Sequence, residues 1–218
     1  MKAKTGKQKG IKLTKAAKDL GMEILKSQGK ELQGKTFVTF DVSTQGTGWS
    51  HWKIKKNGEV TYLDGGVINP KGKKAKDRFP KMANGIINVI SGKMPSFIVS
   101  ERMFIRKSFD SIEYPLKLHG IEEYAASIAG IPDVPIVTTT WRNLCGFLNN
   151  LEIGTDQQMT QKEKDKYYKL TSMRLAGALA GFEITDDNHA DAICIGLAIS
   201  KILQYYMQNA QNEEKKNK

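Results

Sequence analysis

Short apolar runs separated by polar, glycine-bearing turns fill the first part of the chain, and longer apolar stretches at helical spacing fill the rest. Phe37, Val38 and Phe40 form one short run that ends at Asp41, and a polar turn with Gly46 and Gly48 follows, as for a strand entering a hairpin. Trp49, Trp52 and Ile54 predict a second strand and Val60 to Ile68 a third, with Lys56, Asn57 and Gly58 as hairpin-turn chemistry between them. Phe79, Met82, Ala83, Ile86 and Ile90 share one face of a helix that Pro95 ends, and a strand from Phe97 to Val99 then leads to Glu101. Ile121, Ala125 and Ile128 mark a long helix, Ile136 to Thr138 a strand, residues 153–166 a polar loop, and Tyr167, Leu170 and Arg174 a lysine-rich helix. The stretch from Ala192 to Ile199 is almost wholly apolar and too long for an ordinary strand, so Asp191 opens a buried helix. Strands first, then strands alternating with helices, predict an α/β fold: a mixed sheet flanked by helices.

The ends read differently from the middle. Leu13, Ala17, Leu20 and Ile24 recur at helical spacing while Lys12, Lys15 and Lys18 face elsewhere, which predicts a short basic amphipathic helix in an N-terminal extension, residues 1–34. Such an arm is expected to lie on a nucleic acid or on a partner subunit. QNAQNEEKKNK has no apolar pattern, so residues 206–218 are expected to be a disordered charged tail behind a main domain of residues 35–205.

Composition sharpens this division. The 218 residues, 39% of them apolar, can bury one substantial core. Residues 1–35 hold ten lysines against Asp19, Glu23 and Glu31, and residues 201–218 hold four against two glutamates, so little of the +11 net charge is left for the body. That distribution suits a polyanionic partner, because each phosphate neutralised releases counterions. No run approaches the roughly 18 apolar residues of a membrane span. The N-terminus is basic without a signal-type apolar stretch, and Cys145 and Cys194 lack ligand-like spacing. Buried free thiols in a cytoplasmic protein are expected.

The candidate chemistry lies in three acids at the ends of three elements: Asp41, Glu101 and Asp191. Singly, such acids usually face water or cap helices. Together they have the form of a metal-dependent phosphodiesterase, since hard divalent cations take several oxygen ligands, and cleavage with two metals needs carboxylates from several elements to converge.

The segments around these acids make the likeness specific. FDVSTQGTGW resembles the first strand of the RuvC family of Holliday-junction resolvases, within the RNase H-like superfamily, and IVSERMF resembles its second acidic strand, with an aromatic, here Phe104, three residues after the glutamate. YPLKLHGIEEYAASIAG resembles the family's next helix, VPIVTTTWRNLCGF the strand and basic turn after it, and HADAICIGLAIS the C-terminal catalytic helix. The likeness runs from about Lys35 to about Ile202, with its segments in the family's order. One position departs: where the family has a fourth acidic or histidine ligand three residues before the last Asp, this chain has Asn188, with Asp186 and Asp187 just ahead. Helical geometry lets either Asp187 or Asn188 share the face of Asp191, and a charged oxygen favours Asp187; equally, Asp186 to Asn188 are suited to cap the helix.

The resemblance implies an RNase H-like nuclease domain that resolves four-way DNA junctions, and possible branched relatives, by paired nicking, leaving 5′-phosphates. It implies two Mg2+ ions, with Mn2+ as a substitute: Asp41 bridging them, Glu101 on one, and Asp191 with Asp187 or Asn188 on the other. A homodimer would supply two equivalent sites for two equivalent strands, with the helix carrying Leu116, Ile121 and Ala125 as the expected interface. The stretch Arg102 to Lys107 sets Phe104, an aromatic able to stack on an unpaired base or to pack into the core, among Arg102, Arg106 and Lys107. Lys117 and Arg142 extend a basic track for duplex arms, whereas Lys162, Lys164, Lys166 and Lys169 fit either that track or a solvated face. Two other readings stay open: an RNase H-like nuclease for RNA–DNA hybrids or DNA ends, and a junction-binding protein that has lost turnover, suggested by Asn188.

Overall fold

Two strands at the centre of a mixed sheet set the position of everything else. In the computed structural model, which describes residues 12–29, 31–102, 109–147 and 159–216, β1 (Thr36–Asp41) pairs in parallel with β4 (Phe97–Ser100) and antiparallel with β2 (Thr47–Ile54), which pairs antiparallel with β3 (Val60–Ile68). The order is β3-β2-β1-β4. β4 is buried throughout and β1 at all but its ends, as strands covered on both faces must be.

The period of two distributes their side chains to two cores. Phe37, Phe97 and Val99 join Trp52 and Ile54 on one face, under α1 (Lys15–Gln28), α4 (Thr138–Leu144), α5 (Gln161–Ala180) and α6 (Asp187–Lys216). Val38, Phe40 and Ile98 point the other way, under α2 (Ala75–Lys93) and α3 (Phe109–Ile128). This is the α/β arrangement that the pattern predicts.

Helix α6 lies close on the sheet because small residues let it. A Cβ on Gly48 would stand 2.0 Å from the carbonyl oxygen of Asn188, and one on Gly196 would stand 2.2 Å from the Trp52 ring. A buried polar pin then fixes its register: Thr39 and Ser50 donate their hydroxyls to the Ala192 carbonyl at 2.7 and 3.0 Å, and Trp52 Nε1 donates to Ser50 Oγ at 2.7 Å. Ala192 follows Asp191, so the pin holds the last catalytic candidate in place.

Several expectations change at this point. The helix around Leu20 is no loose arm: Ala17, Leu20 and Ile24 are buried in the first core, Thr14 caps α1, and Tyr206 of α6 donates to the Lys18 carbonyl at 2.7 Å. A boundary at residue 34 would therefore cut through the core; residues 1–11 lie outside the described residues. Nor is the chain after residue 205 irregular, since α6 runs to Lys216. After Gly196 the sequence holds no Gly or Pro, and Ala, Gln, Glu and Lys are strong helix formers, so nothing local stops it. α5 starts at Gln161, inside the expected polar loop, because Thr160 and Glu163 form a capping box.

The strand expected over Ile136 to Thr138 is displaced and shortened. Residues 132–136 run parallel to β4 with hydrogen bonds from Ile98 to Pro132, Val134 to Ile98, Ile136 to Ser100 and Arg102 to Ile136, while Thr138 already begins α4. Pro132 and Pro135 have no N–H, so only isolated bridges form at Asp133 and Ile136. Among the described residues no helix is long and apolar enough to cross a membrane.

Candidate active site

Asp41 at the end of β1, Glu101 just after β4, and Asp187 and Asp191 at the start of α6 lie within electrostatic reach of one another on one face of the sheet. Asp41 closes β1 opposite Gly48 of β2. Glu101 follows β4, two residues after Val99 and so on that residue's face. Asp187 and Asp191 lie one turn apart at the start of α6.

Their mutual field is visible in their proton affinities. Asp41 is held well above the usual carboxylate range, first by burial and then by the charges of Asp191, Glu101 and Asp187, with Arg142 opposing. Asp191 is pushed up to about 7 by burial; the Ser172 hydroxyl and Arg142 pull it down, and Glu101 and Asp187 push it up. Like charges at such range cannot all ionise cheaply without a cation among them.

Neighbours stand against three of the four acids. Glu101 accepts from Thr138 Oγ1 at 2.5 Å and from Trp141 Nε1 at 2.6 Å. Asp187 pairs with Lys169 of α5. Asp191 stands 4.0 Å from Arg142 Nη2, and that guanidinium lies between the rings of Trp141 and Tyr168, 5.0 and 4.6 Å from their centroids. The Arg142 Nε is buried without a hydrogen-bond acceptor.

The donor set is all carboxylate oxygen, which suits a hard divalent cation. Among the described residues, however, no three acidic, histidine or cysteine side chains are drawn up around one point. The acids fit such an ion by chemistry and by their shared negative field.

The other candidates divide clearly. Asn188 lies in the same turn as Asp187, but its Nδ2 is 3.5 Å from where a Gly46 Cβ would stand, so it faces the β1–β2 turn, and it is Asp187 that acts on Asp41 and Asp191. Capping falls to Asp186, whose Oδ1 accepts from the His189 N–H at 3.1 Å. His189 is buried, 3.3 Å from the Tyr62 hydroxyl. Arg142, expected on a duplex arm, instead turns its charge inward to Asp191, because α4 is a helix docked on α6 rather than an open turn.

Arg102 is exposed and lines a cleft of about 200 Å3 with Asp19, Glu23 and Val137. Lys117 sits on α3, in the layer on the far face of the sheet, paired with Glu113 at 2.5 Å, so the structure does not bring it to the carboxylates. Phe104, Arg106 and Lys107 lie outside the described residues.

Sequence reasoning missed Thr138 and Trp141 as partners of Glu101, and treated Lys169 as one of a surface run. It also passed over Thr39 and Ser50. A signal existed for these two: period-two alternation puts Thr39 on the face of Asp41, a lone polar residue between Val38 and Phe40.

No protein-family model and no curated protein sequence matches the chain. Solved structures do. The chain is similar to RuvC of T. thermophilus in complex with a Holliday junction substrate at 15% identity and a TM-score of 0.54, over 75% of this chain and 91% of that one. A second Thermus thermophilus RuvC structure gives the same identity and score, over 75% and 92%. The yeast mitochondrial Holliday junction resolvase Ydc2 matches at 11% identity and a TM-score of 0.48, over 89% of each chain. What this chain shares with these RuvC structures is the fold, a mixed sheet between helical layers.

Proposed function

We propose that this protein is a structure-selective, metal-dependent endonuclease that resolves four-way DNA junctions by paired symmetric nicking. The observation that carries the reading is that Asp41, Glu101, Asp187 and Asp191, from three elements, share one negative field on one face of the sheet. The fold shared with a RuvC solved on a Holliday junction supports the choice of substrate.

In this reading Asp41 faces both metal positions, Glu101 serves one, and Asp191 with Asp187 serves the other. Bound Mg2+ or Mn2+ would supply an activated water and stabilise the leaving 3′ oxygen, which leaves a 5′-phosphate. The chain's own part is to place the carboxylates, to set Arg142 against the rise in the proton affinity of Asp191, and to hold α6 in register through Thr39 and Ser50. Lys169, released from Asp187, becomes available to a phosphate. A homodimer, giving two sites for two strands, would use α3; of the expected interface residues Ala125 and Ile121 pack into the second core, and Leu116, with Tyr124 and Ile128, is exposed. The setting inferred is the cytoplasm of a bacterium or of a phage-infected host.

A second reading has one observation in its favour. Lys169 and Arg142 already partner two of the four acids, which suits a protein that binds junctions without cutting them. Two cations against four carboxylates still leave the cluster negative. An immobile four-way junction, linear duplex and RNA–DNA hybrid incubated with Mg2+, Mn2+ or EDTA separate these readings: symmetric, metal-dependent nicks in the junction alone support resolution. Hybrid cleavage makes the protein a ribonuclease of the same fold, and binding without nicks makes it a junction binder.

A further inference from the structure

We infer that Trp141 and Thr138 are positioning residues that lock the Glu101 carboxylate for a small octahedral cation, and thereby favour Mg2+ or Mn2+ over Ca2+. The inference rests on reading the carboxylate cluster as a metal site.

Glu101 has three side-chain torsions and stands where β4 has ended, so its carboxylate would turn freely if nothing held it. Two donors hold it, one on each oxygen: Thr138 Oγ1 on Oε1 and Trp141 Nε1 on Oε2. Rotating the carboxylate breaks both bonds at once. Indole N–H is a donor only, so Trp141 cannot reverse its role. Its ring is itself fixed, fully buried, edge-on to Phe147 at 5.6 Å and covered by Arg142.

The donors and the acceptor also share one scaffold. Ile136 N–H donates to the Ser100 carbonyl at 2.8 Å and Arg102 N–H to the Ile136 carbonyl at 2.7 Å, which ties the start of α4 to the segment that carries Glu101. A buried tryptophan needs some acceptor for its N–H, and core packing alone would accept any carbonyl. Packing does not explain why the Thr138 hydroxyl takes the other oxygen of the same carboxylate.

Ion choice follows from the stiffness. Mg2+ demands near-ideal octahedral ligand positions, whereas Ca2+ accepts six to eight oxygens in flexible arrangements, including bidentate carboxylates. A fixed carboxylate with one hydrogen bond already on each oxygen suits the first and adapts poorly to the second. Removing either donor therefore harms small-ion binding more than Ca2+ binding.

The test is metal binding by the full chain without DNA, reading free Mn2+ by electron paramagnetic resonance and Ca2+ by competition. Wild type, Glu101→Gln, Trp141→Phe, Thr138→Val and Thr138→Ser are compared, with melting temperature followed in parallel. Trp141→Phe and Thr138→Val are expected to weaken Mn2+ binding about tenfold or more, the usual scale for partners that orient a ligand. Ca2+ affinity should change less, and Thr138→Ser should restore wild-type behaviour. The inference is overturned if Trp141→Phe or Thr138→Val binds both ions as wild type does, or loses both equally. If Trp141→Phe does not fold, the threonine pair decides alone. Wild-type protein that binds no Mn2+, or Glu101→Gln that binds it unchanged, overturns the metal-site reading itself and this inference with it.

Discussion

Two partly buried acidic clusters flank the end of β4, one on each face, and they are built in opposite ways. On the α4–α6 face, Asp41, Glu101, Asp187 and Asp191 converge, with Arg142 and Lys169 as counter-charges. On the α3 face, Glu122 is fully buried with no hydrogen-bond partner on either oxygen; His119 Nδ1 lies 3.4 Å away, and Asp133 accepts from the Ser100 hydroxyl at 3.1 Å. Ser100 and Glu101 are successive residues whose side chains leave the strand on opposite sides, so one step of the pleat separates the clusters.

Burial raises Asp41 and Asp191 on the first face, and Glu122 to about 7 and Asp133 to about 6 on the second. On the α4–α6 face Asp41 and Asp191 feel the charges of Glu101 and Asp187, and Arg142 and Lys169 stand beside two of the acids; on the α3 face the nearest basic group to Glu122 is His119. Buried acids alone therefore do not make a metal site. In the proposed reading it is their number, their origin in separate elements and the donors that orient them that would make one.

The largest expected effect breaks that comparison directly. Asp41→Asn and Glu101→Gln should lower junction cleavage by about 100-fold or more, the scale of losing one group that stabilises a transition state, while junction binding persists in a gel-shift assay. Glu122→Gln and Asp133→Asn should cleave as wild type does. Equal losses from both clusters would erase the distinction.

Stability gives the next test. Gly48→Ala would set a methyl carbon against the Asn188 backbone, where neither side can yield without moving α6. Overpacking of this kind costs about 1–3 kcal/mol, and denaturant unfolding should show it together with loss of cleavage, because Asp187 and Asp191 move with the helix.

The pH dependence sharpens the contrast. Asp191 rises from an ordinary 3.8 to about 7 and Glu122 from 4.5 to about 7, so between those values the folded protein holds more protons than the unfolded chain. Metal-free protein should therefore lose stability as pH rises from about 4 to 7 and change little above, on account of these groups. Mg2+ should counter the part that belongs to Asp191, and Glu122→Gln should remove the other part, with a gain on the order of 2 kcal/mol at pH 8. Thermal melts across pH, with and without Mg2+, read both. The smallest effect is expected for Lys117→Ala, whose exposed pair with Glu113 lies on the far layer: cleavage within about twofold of wild type, since exposed ion pairs contribute little.

Legibility in the sequence followed locality. The strands ending at Asp41 and before Glu101 and the helix opened by Asp191 could be read because each is a local apolar run closed by an acid. Asp187 was legible only as one of two alternatives, since helical spacing gives it and Asn188 the same claim, and the choice depends on the Gly46–Gly48 turn packed against Asn188. The place of α1 could not be read, because its apolar face is filled by Ile202 and Tyr206, far away in the chain. The approach of Arg142 to Asp191 was hidden for a similar reason: it exists only once α4 docks on α6. Thr138 was read as the end of a strand, which hid its hydroxyl from Glu101.

Cleavage of a labelled immobile four-way junction by wild-type protein, with Mg2+ and with EDTA, tests the central claim most directly. Symmetric nicks at the junction with Mg2+, absent with EDTA and absent for Asp41→Asn, are the predicted result. Junction binding with no nick under any divalent cation, or cutting that EDTA and Asp41→Asn leave intact, would contradict it.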